Sequence, residues 1–220
     1  MPHIVLLGDS IFDNGAYTSG SPDVATQLRR ILPDGWTTAL RAVDGARTDD
    51  VARQLAGLPP GTSHLVLSVG GNDALSHGDL LEQRGVSAAQ LFGRLADAAA
   101  EFERRYRTLV DQLTARRLPL VVCTIYHGNF PDPAFQRMAS TALCPFNDAI
   151  LRVALGRCLT IIDLRLICCE PADYANPIEP SATGGAKIAQ AIVQAVGANR
   201  TSGCGSPVIH TVPDIRSQSL

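Results

Sequence analysis

The chain has 220 residues, of which 45% are hydrophobic and 18% are charged. This length and apolar content predict one globular domain with a full hydrophobic core and exclude an intrinsically disordered chain. The formal net charge is −2, from 19 basic and 21 acidic residues. Such a balance provides no basic surface for nucleic acid or for an anionic membrane.

Short apolar runs alternate with amphipathic segments along the chain. Strands are predicted at 3–7, 37–43, 64–69, 120–125 and 159–164, and helices at 22–32, 48–58, 87–117, 146–155 and 183–196. Ser21 is the predicted N-cap of the first helix, and Gly197 is the predicted stop of the last. This alternation is typical of βαβ units, so residues 1–197 are expected to form a three-layer α/β/α domain around a five-stranded parallel sheet. Residues 198–220 are polar and rich in Gly, Ser and Pro, which predicts a loosely ordered tail.

Location and cofactor use follow from what the sequence lacks. The first predicted strand begins almost at Met1, which leaves no space for a signal segment, and no apolar stretch approaches the ~20 residues that span a bilayer. We therefore expect a cytoplasmic protein without a membrane span. The six cysteines show no paired metal-ligand spacing, and no glycine-rich phosphate or dinucleotide loop follows the first strand. No metal and no cofactor are expected.

Three candidate functional residues follow the first three predicted strands. Functional groups collect at the carboxyl ends of strands in parallel α/β sheets. Ser10 follows the first strand and a glycine, where its hydroxyl can act as a nucleophile or cap a helix. Gly45 follows the second strand and offers a backbone N–H. Asn72 follows the third, where its amide can stabilise an oxyanion or belong to a Gly–Asn turn with positive φ.

Three sequence blocks at these positions resemble the SGNH, or GDSL, hydrolase family. They are GDSIFDNG over 8–15, the glycine at 45 and GGND over 70–73. The resemblance covers roughly the first 197 residues and implies the flavodoxin-like SGNH hydrolase fold. It also implies a serine esterase, lipase or deacetylase that acts on a small-molecule ester. Ser10 would attack the ester carbonyl, and Gly45 and Asn72 would join the Ser10 backbone N–H in the oxyanion hole.

The last block departs from the family pattern, which has an aspartate, two residues and a histidine before the final helix. Here the segment reads NPIEPS over 176–181, so Asn176 takes the place of the aspartate and Glu179 that of the histidine. A free Glu has a pKa near ~4.3, too low for an efficient base, but burial can raise it toward ~6–7. An aspartate would repel a glutamate, whereas an asparagine can hold the carboxylate by a hydrogen bond. Glu179 with Asn176 is therefore one candidate base.

A histidine elsewhere is the second candidate for the base. His127 follows the fourth predicted strand and so lies at the functional edge of the sheet. His77 comes shortly after the GGND block, and His210 lies in the tail. His3 and His64 begin strands at the opposite end of the sheet, which makes them poor candidates.

A third interpretation is a protein that has lost hydrolysis and binds an acyl or glycan ligand without turnover. An intact Ser10 and Asn72 argue against complete decay of the site, although ligand binding alone could retain them. Four aromatic residues could line an acyl or aromatic pocket, although packing in the core is the more common fate of such residues: Trp36, Tyr126, Phe130 and Phe135.

Overall fold

The apolar runs form the parallel strands of one sheet. The computed structural model describes residues 1–81, 85–198 and 208–209. Its strands are β1 (His3–Gly8), β2 (Thr37–Leu40), β3 (His64–Ser68), β4 (Leu120–Cys123), β5 (Thr160–Ile162) and β6 (Val208–Ile209). They are ordered β2-β1-β3-β4-β5-β6, and every neighbouring pair is parallel. The predicted three-layer parallel architecture is confirmed.

The sixth strand is a correction to the predicted five. Val208 pairs with Ile161 and Ile209 with Ile162, so two residues of the predicted tail extend the sheet beyond β5. A two-residue strand is too short to give a recognisable alternating pattern, which is why the sequence did not indicate it. Residues 199–207 and 210–220 of the predicted tail, including His210, lie outside the described residues.

Seven helices in the described residues connect and cover the strands. They are α1 (Val24–Ile31), α2 (Val51–Ala56), α3 (Gly71–Leu75), α4 (Ala88–Thr114), α5 (Pro133–Leu155), α6 (Leu164–Ile167) and α7 (Ala182–Ala198). Asp23, and not the predicted Ser21, caps α1 by accepting a hydrogen bond from the Thr26 N–H. The predicted stop at Gly197 is also wrong by one residue, because α7 continues to Ala198.

Helix α5 is much longer than the helix predicted at 146–155. Asp132 caps its first turn, and Pro133 occupies the first position, where a missing N–H is tolerated. The helix continues through Pro145, a residue that usually breaks or kinks a helix interior. Packing of its apolar second half, which includes Ile150, against the sheet holds the helix together.

The core lies in two layers, one on each face of the sheet. Alternate residues of β1 point to opposite faces because the side-chain period of a strand is two. Ile4 and Leu6 pack in the layer covered by α1 and α7, and Val5 and Leu7 pack in the layer covered by α2, α4 and α5. Both layers are largely apolar, as expected for a parallel sheet covered on both sides.

A half-buried ion pair joins α7 to the segment that precedes it. Asp173 is fully buried, and the Nζ atom of Lys187, the only lysine of the chain, lies 2.8 Å from its carboxylate. The Asp173 carbonyl accepts a hydrogen bond of 2.8 Å from the Ser181 N–H at the start of the helix. The segment that leads into α7 is therefore tied to the body of the domain.

The end of β1 is fixed by a glycine and a glutamine. Gly8 has φ +127°, and a Cβ at this position would lie 1.7 Å from the carbonyl oxygen of Ser68 on β3. The buried side chain of Gln54 accepts a hydrogen bond from the Gly8 N–H and donates one to the Gly8 carbonyl, both 2.8 Å long. The chain therefore leaves the sheet in one defined direction, toward Ser10.

Candidate active site

Ser10 and Glu179 meet at the carboxyl edge of the sheet. The Ser10 hydroxyl donates a hydrogen bond of 3.1 Å to the Oε1 atom of Glu179, across 169 residues of sequence. Only 7% of Ser10 and 6% of Glu179 is exposed. Ser10 follows β1, and Glu179 lies in the loop that precedes α7. The two residues form a buried hydroxyl–carboxylate pair, the arrangement that a nucleophile and its base require.

The surroundings of Glu179 make its carboxylate a stronger base than an exposed one. The pKa of Glu179 is raised from 4.5 to about 7, chiefly by burial. The hydrogen bond from Ser10 lowers this pKa, and the negative charge of Asp44 raises it. The Oε2 atom is buried and has no hydrogen-bond partner among the described residues. A base with a pKa near the working pH combines a useful ionised fraction with a good proton affinity.

Asn176 organises the backbone around Glu179. Its side-chain Oδ1 accepts hydrogen bonds of 2.9 Å from the backbone N–H groups of Ile178 and of Glu179. In the described residues it makes no hydrogen bond to the Glu179 carboxylate, which corrects the contact that we expected from the sequence. The reason is local, because an asparagine readily closes a turn onto backbone N–H groups two and three residues later. Asn176 thus shapes the loop and leaves the carboxylate to Ser10.

Two side chains from distant segments hold the residues on either side of Glu179. The Tyr126 hydroxyl donates a hydrogen bond of 2.6 Å to the carbonyl of Ile178. The fully buried Asn14 donates one of 3.1 Å to the carbonyl of Pro180. The sequence indicates neither role, because the position of Asn14 predicts a turn and Tyr126 is a candidate pocket aromatic. The only available signal is the position of Asn14 inside the GDSIFDNG block.

Asn72 ties the start of α3 to the loop after β2. This residue lies in the first turn of α3, and its Nδ2 atom donates a hydrogen bond of 3.0 Å to the Ala46 carbonyl. The positive φ expected for a Gly–Asn turn belongs to Gly70, at +126°, and not to Asn72. Gly45, with φ +77°, precedes Ala46, so the loop after β2 is tied directly to Asn72. An Asn amide has two hydrogens, and only one is used in the described contacts.

A cavity of about 170 Å³ opens beside Ser10. Ser10, Asn72 and Glu179 lie in its wall, whereas Gly45 lines a separate depression formed largely by the loop after β2. The rest of the wall is largely apolar and includes Val69, Leu75, Leu80, Leu95, Ile125, Phe130, Phe135 and Phe146. Tyr126 also lines the cavity, so three of the four predicted aromatic residues do. Trp36 does not, because it packs against the ring of His64 at 5.3 Å.

His127 lines the cavity but is not hydrogen-bonded to Ser10 in the described part of the chain. Among the described residues the two form no hydrogen bond, and the His127 Nδ1 atom is buried without a partner. Burial and the nearby Arg165 lower the pKa of His127 below its usual value. His77 lines the cavity as well, with its ring 6.4 Å from that of Phe146. Neither histidine therefore occupies the position that Glu179 takes beside the hydroxyl.

Asp9 is a second buried carboxyl group in the cavity wall and was not among the predicted site residues. It is 3% exposed and accepts a hydrogen bond of 3.1 Å from the Ile11 N–H. Burial raises the pKa of Asp9 from 3.8 to about 8, and the nearby carboxylates of Glu179 and Asp73 raise it further. Because the pKa of Asp9 is raised further than that of Glu179, Asp9 keeps its proton to higher pH, and Glu179 ionises first as the pH rises.

The described residues contain no group of three His, Cys, Asp or Glu side chains that could hold a metal ion. None of the helices described here has the length and apolar character needed to cross a bilayer.

Comparisons with known proteins concern the family and the fold of the chain. The model of the GDSL-like lipase/acylhydrolase family matches residues 6–187. An extracellular lipase from Streptomyces rimosus is 19% identical, with a TM-score of 0.63 over 90% of this chain and 99% of the lipase. A phospholipase A1 from Streptomyces albidoflavus is 20% identical, with a TM-score of 0.63 over 90% of this chain and 98% of the phospholipase.

A carbohydrate acetylesterase from Sinorhizobium meliloti has the same fold with less sequence similarity. It is 16% identical, with a TM-score of 0.60 over 90% of this chain and 99% of the acetylesterase. Among curated proteins, none matches this chain by sequence. Identities of 16–20% show that these structures share the fold of this chain. The family model, in contrast, matches the sequence itself over most of the chain.

Proposed function

Because this chain belongs to the GDSL-like lipase/acylhydrolase family of ester hydrolases, we propose that it cleaves a carboxylic ester through an acyl-enzyme on Ser10, with Glu179 as the base. The observation that carries this proposal is the 3.1 Å hydrogen bond between the Ser10 hydroxyl and the Glu179 carboxylate. It places a proton acceptor within the distance that proton transfer requires.

In the first half of the reaction the Ser10 oxygen attacks the carbonyl carbon of a small-molecule ester while Glu179 takes the hydroxyl proton. The C=O bond becomes a C–O⁻ bond, and the negative oxygen accepts hydrogen bonds from the Asn72 amide and from the backbone N–H groups of Ser10 and Gly45. When the tetrahedral intermediate collapses, the bond to the alcohol oxygen breaks. Glu179 returns its proton to that oxygen, and the acyl group stays on Ser10.

In the second half water replaces the alcohol. Glu179 takes one proton from the water while the water oxygen attacks the acyl carbonyl, and the same donors stabilise the new oxyanion. The bond to the Ser10 oxygen then breaks, Glu179 returns the proton to that oxygen, and a carboxylic acid leaves. A carboxyl group whose pKa is about 7 can do both tasks, because it accepts and releases a proton near neutral pH.

Asn176 has a positioning role in this proposal. In a serine–histidine site an acidic residue orients the imidazole and stabilises its positive charge. A carboxylate base becomes neutral when it takes the proton, so it has no positive charge to stabilise. Asn176 instead fixes the backbone of Glu179 through two N–H groups, which supports a site rebuilt around a carboxylate.

The test is hydrolysis of p-nitrophenyl butyrate, together with labelling by a fluorophosphonate probe. We expect turnover and labelling of the wild type, loss of both in Ser10→Ala, and retention of both in Ser76→Ala, a serine on the exposed surface. Turnover that persists in Ser10→Ala would exclude Ser10 as the nucleophile.

The same assay separates the alternatives. If Glu179→Gln retains turnover and His127→Ala abolishes it, His127 is the base and the proposal is wrong. A wild type that neither hydrolyses an ester nor reacts with the probe, yet is stabilised by an acyl or sugar ligand, would be the ligand-binding protein that the sequence also allows. Glu170→Gln, at an exposed glutamate, is the matched control for Glu179→Gln.

A further inference from the structure

Three side chains of the loops after β1 and β2 form an acidic cluster, which we define as Asp13, Tyr17 and Asp44. The Tyr17 hydroxyl donates a hydrogen bond of 2.7 Å to the Oδ2 atom of Asp44. The Asp44 N–H donates one of 2.9 Å to the Oδ2 atom of Asp13. Asp13 and Tyr17 are half-buried and Asp44 is exposed, so a ligand can reach the cluster from solvent.

The acidic cluster lies next to the proposed base. Asn14 follows Asp13 and donates a hydrogen bond of 3.1 Å to the carbonyl of Pro180, the residue after Glu179. Burial is the main cause of the raised pKa of Glu179, and the negative charge of Asp44 raises this pKa as well. The cluster and the Glu179 carboxylate are therefore close enough to bind one charged group between them.

The acidic cluster and Glu179 form no ion pair with a Lys or Arg in the described residues. Two arginines line a depression together with Asp44. Arg53 pairs with a different aspartate, and the guanidinium of Arg41 lies against Gly57. The negative charge beside the proposed base is thus not balanced by a cation of this part of the chain.

The alcohol half of the ester begins at Glu179. In the proposed reaction Glu179 returns its proton to the alcohol oxygen, which requires a distance of ~2.6–3.2 Å between the two groups. Glu179 is only 6% exposed and lies in the cavity wall, and its Oε2 atom has no hydrogen-bond partner among the described residues. A buried carboxylate without a partner is stabilised by a nearby positive charge. The alcohol of the substrate can supply that charge.

Building on the proposed function, we propose that the substrate is an ester of an amino alcohol, whose cationic nitrogen binds at the acidic cluster. The carboxylates of Asp13 and Asp44 attract the cation by their charge, and the ring of Tyr17 attracts it through its face. At exposed positions each such contact contributes a factor of about two to five. Together they predict a preference of about tenfold for a cationic alcohol over a neutral alcohol of the same shape. Salt should weaken this preference.

The experiment compares two butyrate esters that differ in charge and hardly in shape. Butyrylcholine carries a trimethylammonium group, and 3,3-dimethylbutyl butyrate carries a neutral tert-butyl group in its place. Release of butyric acid is followed by titration at pH 8, above the pKa of Glu179. We expect the wild type to show about tenfold higher kcat/KM for butyrylcholine at low ionic strength and a smaller ratio at high salt. Equal values for the two esters would overturn the inference.

Variants assign the preference to the acidic cluster, because the ratio of the two esters cancels any effect common to both. Asp44→Asn should lower the ratio about threefold, and Asp13→Asn combined with Asp44→Asn should remove most of it. Tyr17→Leu should lower the ratio, whereas Tyr17→Phe keeps the ring and should retain most of it. Asp34→Asn, at an exposed aspartate in the loop before β2 and so at the opposite end of the sheet, is the matched control. A ratio that survives in the double variant would reflect the reactivity of the choline ester itself and would overturn the inference.

Binding without turnover separates this inference from the proposed function. In the Ser10→Ala protein, choline chloride should raise the melting temperature more than 3,3-dimethylbutan-1-ol at equal concentration and equal ionic strength. Adding Asp13→Asn and Asp44→Asn should remove the difference. That result would support the cation site even if no ester were hydrolysed. Equal effects of the two alcohols would refute the cation site and leave the proposed function standing.

Discussion

Replacing Glu179 by glutamine removes the proposed base without changing its shape. The new amide side chain can still accept a hydrogen bond from the Ser10 hydroxyl, which lies 3.1 Å from the Oε1 atom in the wild type, but it cannot take up a proton. General base catalysis contributes about 10²- to 10⁴-fold to rate. We therefore expect Glu179→Gln to lower kcat/KM by a factor in that range and to leave the fold unchanged.

The pH profile provides a stricter test than the size of this loss. Only the ionised carboxylate can act as the base, and burial raises the pKa of Glu179 to about 7. Wild-type kcat/KM should therefore fall tenfold for each pH unit below about 7 and level off above it. A carboxyl with its ordinary pKa of 4.5 would stay ionised over this range and give a flat profile. In Glu179→Gln most of the rate should be lost, and the fall in kcat/KM below about pH 7, the step in the profile, should disappear.

The assay is hydrolysis of p-nitrophenyl butyrate from pH 5 to pH 9, with circular dichroism to confirm that each variant is folded. Glu170→Gln, at an exposed glutamate, should retain both the rate and the step. The reasoning fails if Glu179→Gln retains the step, because another group would then be titrating. It also fails if the wild type shows no step between pH 6 and pH 8.

Three further predictions concern groups around the site. Tyr126→Phe removes the hydrogen bond to the carbonyl before Glu179, so kcat should fall about tenfold, the size of one lost hydrogen bond, while thermal unfolding shows a folded protein. Asp9 binds its proton more tightly in the folded state, where its pKa is about 8, so the wild type should lose stability as the pH rises from about 4 to about 8. The free energy of unfolding should fall by up to about 1.4 kcal/mol per pH unit in the wild type, and Asp9→Asn should lack this loss. Urea unfolding of both proteins at pH 5 and pH 9 measures it, and an equal change between the two pH values in both proteins would contradict the prediction. Lys187→Met removes the cation beside the fully buried Asp173 and should cost about 3 kcal/mol in urea unfolding, the lower end for a buried pair, because Lys187 is 25% exposed and the Glu170 N–H still donates to the carboxylate. A loss below about 1 kcal/mol would contradict this expectation.

The sequence predicted the parts of the fold that depend on local pattern. Continuous apolar runs such as the one in β1 indicate buried parallel strands, and an alternating pattern indicated β2, so five of the six observed strands were predicted. The first half of α5 was missed because Pro145 is a helix breaker in most contexts, and here packing against the sheet outweighs it. The two residues of β6 carry no pattern of their own and pair only because β5 presents a free edge.

For the site, the position of a residue in the chain predicted that it belongs to the site. The sequence did not show which group its side chain would bond to. Glu179 was identified as a candidate base because it replaces a histidine in an ordered set of blocks. The predicted hydrogen bond from Asn176 to the Glu179 carboxylate was wrong. Whether an asparagine bonds to backbone N–H groups or to a carboxylate depends on the geometry of the turn, which the spacing of residues does not show. The hydrogen bond from Tyr126 joins residues 52 positions apart, and such contacts arise only when the chain has folded.

The pairing of β6 with β5 limits where the chain can be shortened. Ile209 accepts a hydrogen bond of 2.8 Å from the N–H of Asp163, whose side chain accepts one from Thr124 in the wall of the cavity. A version that ended after α7 would lose this acceptor and expose the hydrogen-bonding groups of β5 as a free sheet edge, which favours pairing between molecules. Truncation at the end of the last helix would thus remove no predicted catalytic residue, yet we expect it to yield a protein that aggregates.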